Sequence, residues 1–337
     1  MRKLKVALVG CGRVSSVHAA ALHKLDETEL AVAVDVKADR AKETAETYGC
    51  RWTTDYREVL KDKEIDAVEI CTPHYLHAEM AIAAARAGKH ILTEKPMALS
   101  VADANAMIKA ADENGVALGV IFQNRYNEAS QAVKRAIERG ELGTLRGTRA
   151  FLTWDRSDDY YRDSDWKGTW DKEGGGVLID QAIHTIDQMQ WLVGEVDFIQ
   201  ATYSTRAHDF IKVDDVAEAY LKFKNGAVGC LYANCFYTYD ADVFLEVQGD
   251  KGVAQILKDV ARIKIGNETR IVEPTTDNPT LGKGYWGMSH SRQIEKFYRA
   301  LLRGEKPEID GHAGKAAMQI VLAMYESARR GEPVYFK

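Results

Sequence analysis

Apolar runs and amphipathic stretches alternate along the first third of the chain. "LKVALVG" (4–10), "ELAVAVD" (29–35), "DAVEICTP" (66–73), "HILTEKP" (90–96) and "VALGVIFQ" (116–123) read as strands. Between them, "VSSVHAAALHKL" (14–25), "RAKETAETYG" (40–49), "LHAEMAIAAARAG" (76–88) and "VADANAMIKAADENG" (101–115) carry helical spacing. Strand followed by helix at this rhythm predicts a doubly wound parallel sheet with helices on both faces.

After residue 123 the pattern changes. A helix at about 128–139 leads into a strand at 146–154, and further strands follow at 196–206, 217–237, 243–256 and 261–273. The second of these runs contains Asn225-Gly226 between alternating stretches, a strong hairpin signal. Helices are predicted at 176–193, 291–304 and 312–331, and the segment 274–287 reads as a flexible loop. The second part is therefore expected to be an α+β domain with a largely antiparallel sheet. The domain expectation is 1–123 and 124–337.

The chain has 337 residues, 46% hydrophobic and 28% charged, enough for two cores of ordinary size. A net charge of -5 gives no basic footprint for nucleic acid. No stretch is apolar for long enough to predict a membrane span. The basic start "MRKLK" runs into a short apolar stretch without a cleavage site, and reads as the first strand. The five cysteines (Cys11, Cys50, Cys71, Cys230, Cys235) lack CxxC spacing, so neither a disulfide framework nor a zinc site is indicated and a cytoplasmic location is expected.

"GCGRVS" (10–15) lies between the first strand and the first helix. Gly10 and Gly12 would let the backbone turn tightly and approach a pyrophosphate at the helix N-terminus, with Arg13 and Val14 completing the turn. The third position of the usual three-glycine pattern is Ser15. Asp35 closes the second strand, where a carboxylate binds the ribose hydroxyls of a dinucleotide and repels a 2′-phosphate. NAD rather than NADP is expected, although Lys37 and Arg40 nearby would offset part of that repulsion.

Ligands of an open parallel sheet bind beyond the carboxyl ends of its strands. Glu94 and Lys95 emerge at such an end, with Pro96 restricting the residue before it. A lysine there can reach a substrate hydroxyl, or form a structural ion pair. In "GGGVLIDQAIHTID" (174–187), Asp180, His184 and Asp187 are spaced to share one helical face. A carboxylate one turn before an imidazole suits a general base, and equally a structural histidine. No third ligand points to a metal.

Taken together, "GCGRVS", Asp35, "EKP" and the Asp-x-x-x-His helix resemble the Gfo/Idh/MocA family over essentially the whole chain. The resemblance implies a Rossmann domain, then an α+β domain with a large open sheet often used for oligomerisation, so a homodimer or homotetramer is expected. It implies reversible hydride transfer between NAD and a hydroxyl-bearing carbon of a sugar, cyclitol or related polyol. By position, Lys95, Asp180 and His184 correspond to the catalytic residues, with His184 as acid/base. Gly10, Gly12, Arg13, Val14, Asp35, Thr72, Pro73, His77, Glu94, Lys95 and Gln123 correspond to the cofactor pocket, Arg125 being a further candidate. "NRYNEA" departs from the family pattern, with Glu128 where relatives often carry proline.

The segment 154–176 is rich in aromatic and charged residues, as a sugar-binding loop would be. Arg156, Tyr160, Tyr161, Trp166 and Lys167, with Lys95, Asp180 and His184, are substrate-binding candidates; the same aromatics could instead pack on their own helix. The loop resembles subfamilies acting on nucleotide-linked or acidic sugars. Two other activities fit the same fold: a glycosidase that recycles bound NAD, and a dinucleotide-binding regulator without catalysis.

Overall fold

Strand β1 (Leu4–Val9) begins the chain, and its last four residues are buried. The structure, a computed structural model, describes residues 2–275 and 289–336. The chain forms two compact units, Met1–Gln123 with Pro279–Lys315 and Asn124–Asn278 with Ala316–Lys337. In the first unit β1 is followed by α1 (Ser15–Lys24), β2 (Thr28–Val34), α2 (Ala38–Tyr48), β3 (Arg51–Thr53) and α3 (Tyr56–Lys61). Then come β4 (Ala67–Ile70), α4 (His77–Arg86), β5 (His90–Thr93), α5 (Val101–Glu113) and β6 (Leu118–Val120).

These six strands form one parallel sheet in the order β3-β2-β1-β4-β5-β6. The order reverses direction between β1 and β4, which opens the crevice where such sheets bind ligands. Local chemistry sets the boundaries. Gly49 ends α2 in the left-handed region, at φ 70°, where glycine alone carries no Cβ penalty. Ser100 starts α5 by accepting the Asp103 amide. The expected five strands omit β3, whose three residues are too short and too exposed to show a period.

The second unit opens with α6 (Glu128–Glu138), β7 (Leu145–Thr153), α7 (Asp158–Arg162), α8 (Val177–Asp180) and α9 (Ile183–Val193). Seven strands follow: β8 (Val196–Ser204), β9 (Val216–Phe223), β10 (Val228–Asn234), β11 (Phe244–Gly249), β12 (Gly252–Leu257), β13 (Val260–Ile265) and β14 (Glu268–Val272). Asn225-Gly226 forms the β9–β10 turn, with Gly226 at φ 88°. The nine-stranded sheet runs β14-β13-β12-β11-β7-β10-β9-β8, ending on the short C-terminal strand Val334–Tyr335. Every pairing is antiparallel except β7 with β10. Helices α6, α8 and α9 pack on this sheet; Thr148, Ala150 and Leu152 of β7 are buried, whereas Arg149 and Phe151 are exposed.

Helices α10 (Ser289–Arg303) and α11 (Gly311–Arg330) complete the chain before that last strand. Helix α10 belongs to the first unit, where Ile294, Phe297 and Tyr298 join the core of Leu8, Leu22 and Leu92. A Cβ on Gly119 would stand 2.8 Å from the Phe297 ring, so β6 needs glycine to admit this helix. The single cut expected after residue 123 therefore meets a second one, because 279–315 is part of the first unit. The loop expected at 274–287 lies, beyond Thr275, outside the described residues. No helix among the described residues is long and apolar enough to cross a membrane.

Candidate active site

The glycine turn of the first unit is held by its own strand ends. Gly10 has φ 91°, and a Cβ there would lie 2.6 Å from the Cys71 carbonyl oxygen, so backbone packing forces glycine. At Gly12 an added Cβ meets nothing within 4 Å among the described residues, whose packing does not require glycine there. Asp35 accepts the Cys11 amide through Oδ2 and the Lys37 amide through Oδ1, both at 2.8 Å. It thus ties the glycine turn to the end of β2 before any ribose is considered. Helix α1 has Val14 at its N-cap, with no side-chain cap and no acidic residue in its first turn, which leaves its positive end available to an anion. Arg13 is exposed and Val14 half-buried beside that turn.

Other predicted pocket residues lie at the strand ends. Thr72 and Pro73 follow β4 half-buried, and Gln123 is buried at the end of the unit's first segment. His77 is wholly buried, one ring nitrogen 2.7 Å from the Pro96 carbonyl oxygen and the other 2.8 Å from that of Thr72. It braces the two strand ends against each other; burial lowers its pKa against the pull of those two carbonyls. Lys95 is half-buried just past β5, followed by a cis bond to Pro96. Glu94 is buried and accepts the Lys95 amide at 3.1 Å.

In the second unit the predicted single helix is two. Ala182 donates to Val177, five residues back, and the ladder breaks between α8 and α9, a local π-type irregularity of the kind common at functional sites. Asp180 closes α8, and His184, half-buried, is the second residue of α9. Three donors converge on Asp180 Oδ2: the Tyr160 hydroxyl at 2.6 Å, Lys167 Nζ at 2.6 Å and Gln181 Nε2 at 2.9 Å. Lys167 Nζ also lies 4.4 Å above the Trp166 ring, a cation–π contact. Burial would lower the Lys167 pKa, but Asp180, Tyr160 and Glu173 together raise it above the ordinary lysine value.

Glu173, fully buried, is a member of this group that the sequence reading missed. It accepts the Gly168 amide and stands 3.5 Å from Lys167 Nζ. Burial pushes its pKa up to about 8, against the attraction of Lys167. The two observations are consistent because the lysine's short contact is to Asp180.

The other expectations have separate explanations. The glycines before α8 are packing residues: a Cβ on Gly175 would meet the Tyr325 hydroxyl at 2.1 Å, and one on Gly176 the Asp214 carbonyl oxygen at 1.9 Å. The Asp214 carboxylate, also missed, accepts the amides of Gly176 and Leu178 and so caps α8. Asp187 forms a two-point buried ion pair with Arg125 at 2.8 and 2.5 Å. Arg156 is buried, 2.8 Å from Asp240 and stacked near Trp154. Tyr161 is buried, its hydroxyl against Cys235 and its ring against Tyr160 and His208. Of the loop candidates, Tyr160 and Lys167 meet Asp180, and Trp166 lies under the Lys167 ammonium.

The chain is an oxidoreductase by its relatives. Residues 4–122 match the GFO/IDH/MocA model described as an oxidoreductase family with an NAD-binding Rossmann fold, and residues 130–255 match the GFO/IDH/MocA C-terminal domain. The chain is 30% identical over 339 residues to myo-inositol 2-dehydrogenase of Thermotoga maritima, covering 96% of each. The WlbA dehydrogenase of Bordetella pertussis, solved with NADH and UDP-GlcNAcA, is 32% identical with a TM-score of 0.89, covering 100% of this chain and 98% of the other. Levoglucosan dehydrogenase, solved with NADH and levoglucosan, is 28% identical with a TM-score of 0.90, covering 99% of both. The chain belongs to the Gfo/Idh/MocA oxidoreductase family.

Proposed function

We propose that this protein is an NAD-dependent dehydrogenase acting on a secondary hydroxyl of a sugar, cyclitol or sugar derivative. The observation that carries the proposal is the convergence of Lys167, Tyr160 and Gln181 on buried Asp180, four residues before half-buried His184. A polyol entering there meets an ammonium and a phenol already oriented by one carboxylate. The open space at Gly12, the uncapped start of α1 and Asp35 fit a dinucleotide: pyrophosphate at the turn, adenosine ribose on Asp35. The Asp35 charge favours NAD over NADP.

In this reading His184 takes the hydroxyl proton as general base and returns it in the reverse direction. Held by the Gly10–Gly12 turn and Asp35, NAD would supply the acceptor for the hydride of the carbinol carbon. Lys95 holds the reacting hydroxyl, and Asp180 keeps Lys167 and Tyr160 in place for the neighbouring hydroxyls. The test is NADH absorbance on incubation with NAD and a panel of sugars, inositols, uronic acids and nucleotide sugars, with His184→Ala beside it. Activity on one class, lost in the variant, supports the proposal. Silence across the panel with NAD co-purifying would overturn it in favour of the recycling glycosidase.

We also read the outer face of the nine-stranded sheet as the surface of a homodimer or homotetramer. Leu257, Phe244, Phe151 and Tyr232 pair across four adjacent strands, and Leu257 and Phe151 are exposed. An apolar row of this kind supports burial against a second copy. Phe151→Glu should shift the mass measured in solution toward the monomer. All five cysteines are free thiols, which supports a reducing cytoplasmic location.

A further inference from the structure

Beside the Glu94-Lys95 corner lies a buried chain of ionisable groups that the proposed reaction does not use. His18 of α1, Glu69 of β4, Glu94 after β5 and His290 of α10 are each at most 5% exposed. His18 Nδ1 is 2.5 Å from Glu69 Oε2, and its Nε2 is 3.1 Å from Glu94 Oε1. His290 Nε2 stands 3.7 Å from the same Glu94 oxygen. The other Glu94 oxygen accepts the Lys95 amide, so hydrogen bonds run without a gap from Glu69 to the backbone of Lys95.

A neutral imidazole has one N–H, so a His18 that donates to a carboxylate oxygen at each nitrogen carries two protons. The resulting cation between two anions leaves one negative charge, which is how buried carboxylates are tolerated. Burial works against the His18 cation, but Cys71 and Glu69 hold its pKa well above the usual histidine range. Burial would raise Glu94, but the His18 hydrogen bond and the nearby His290 ring hold it well below the usual carboxylate range. Tyr298 faces Glu69 from α10, Cys71 faces His18 from the end of β4, and Lys95 adjoins Glu94. The donor atoms of His18, Glu94 and His290 lie within 4.8 Å of one another, near enough for a small cation; hydrogen bonding accounts for the two His18 contacts without one.

We propose that Glu69, His18 and His290 are positioning residues that fix Glu94 as an oriented anion and, through its hold on the Lys95 amide, set where the Lys95 ammonium meets the substrate. The inference rests on the reading of Lys95 as a substrate-contacting group. Displacement of a catalytic group by about 1 Å can cost on the order of 100-fold in rate. Glu69→Gln keeps the shape and removes the charge that holds the second His18 proton; His290→Asn loosens Glu94 from the other side.

The test compares Glu69→Gln, His290→Asn, Lys95→Ala and Glu69→Gln/Lys95→Ala with the wild-type enzyme on its best polyol. Glu69→Gln and His290→Asn should each lower kcat by about tenfold or more while leaving NAD affinity within a few-fold. Glu69→Gln should add nothing once Lys95 is alanine, because residues acting as a unit are not additive. Nitrogen-15 NMR of the His18 ring should show two protonated nitrogens at pH 8 in the wild type and one in Glu69→Gln. Equal losses from Glu69→Gln in both backgrounds would overturn the positioning role. A Lys95→Ala enzyme of full activity would overturn the reading of Lys95 itself, and the positioning role with it. One equivalent of transition metal in the purified protein would also overturn the proposal, since Glu94 would then be a ligand.

Discussion

Lys167 Nζ lies 2.6 Å from Asp180 Oδ2 and belongs to that carboxylate, although Glu173 is the more deeply buried acid beside it. The pairing leaves Glu173 undercompensated, and burial raises its pKa to about 8 from an ordinary 4.5. In the unfolded chain it ionises near the ordinary value, so between the two the folded state holds the extra proton. This contribution is therefore fully present below pH 4.5 and is lost as pH rises through about 8. Glu173→Gln should show a shallower fall in Tm between pH 5 and about 8.5 than the wild type. Thermal unfolding at three pH values decides it; parallel slopes would refute the assignment.

Gly10 and Gly12 separate packing from ligand approach. Gly10→Ala drives a Cβ into the Cys71 carbonyl at positive φ, and should cost about 2 kcal/mol or more of stability. Gly12→Ala should leave Tm unchanged while weakening NAD binding, because no described residue lies within 4 Å of a Cβ there and the proposed pyrophosphate site does. Denaturation curves paired with NAD titrations measure both; a destabilised Gly12→Ala would contradict the open space seen there.

His184→Ala should lower kcat by about 10²–10⁴-fold, the usual worth of a general base, with NAD affinity preserved. Parallel losses of turnover and of NAD binding would remove His184 from the acid/base role. A stopped-flow comparison with NAD binding by fluorescence quenching gives both numbers.

Arg125 and Asp187 form a pair whose side chains are 10% and 1% exposed. Arg125→Met alone strands a buried carboxylate and should cost about 3–5 kcal/mol, whereas Arg125→Met with Asp187→Leu should recover most of that. Urea unfolding of the single and double variants tests it, and a double variant no more stable than the single would show that the pair is not self-contained.

The parallel sheet was legible because each long strand is an unbroken apolar run between helical stretches. Strand β3 was not, being three residues long with two of them exposed. The return of α10 to the first unit was also hidden: Phe297 finds its seat only because Gly119, far away in sequence, has no side chain. Spacing identified Asp180 and His184 but assumed a continuous helix, and the extra residue at Gln181–Ala182 appears only in the hydrogen bonds. The sequence shows glycines opening a helix at 174–176 but not why: Gly175 and Gly176 make room for Tyr325 and Asp214. His18 and Glu69 gave no motif, since their partnership crosses from a helix to a strand.

The parallel pairing of β7 with β10 also orders events in time. Strand β7 has two neighbours, β10 and β11, and Thr153 at its end pairs with Asn234. A chain lengthening at roughly 5–20 residues per second therefore exposes β7 for several seconds before either edge can be matched. Throughout that interval both edges of the strand that carries Ala150 and Leu152 lack their final partners. The central strand of the larger sheet is thus the first of its strands to be made, and it waits for both of its neighbours.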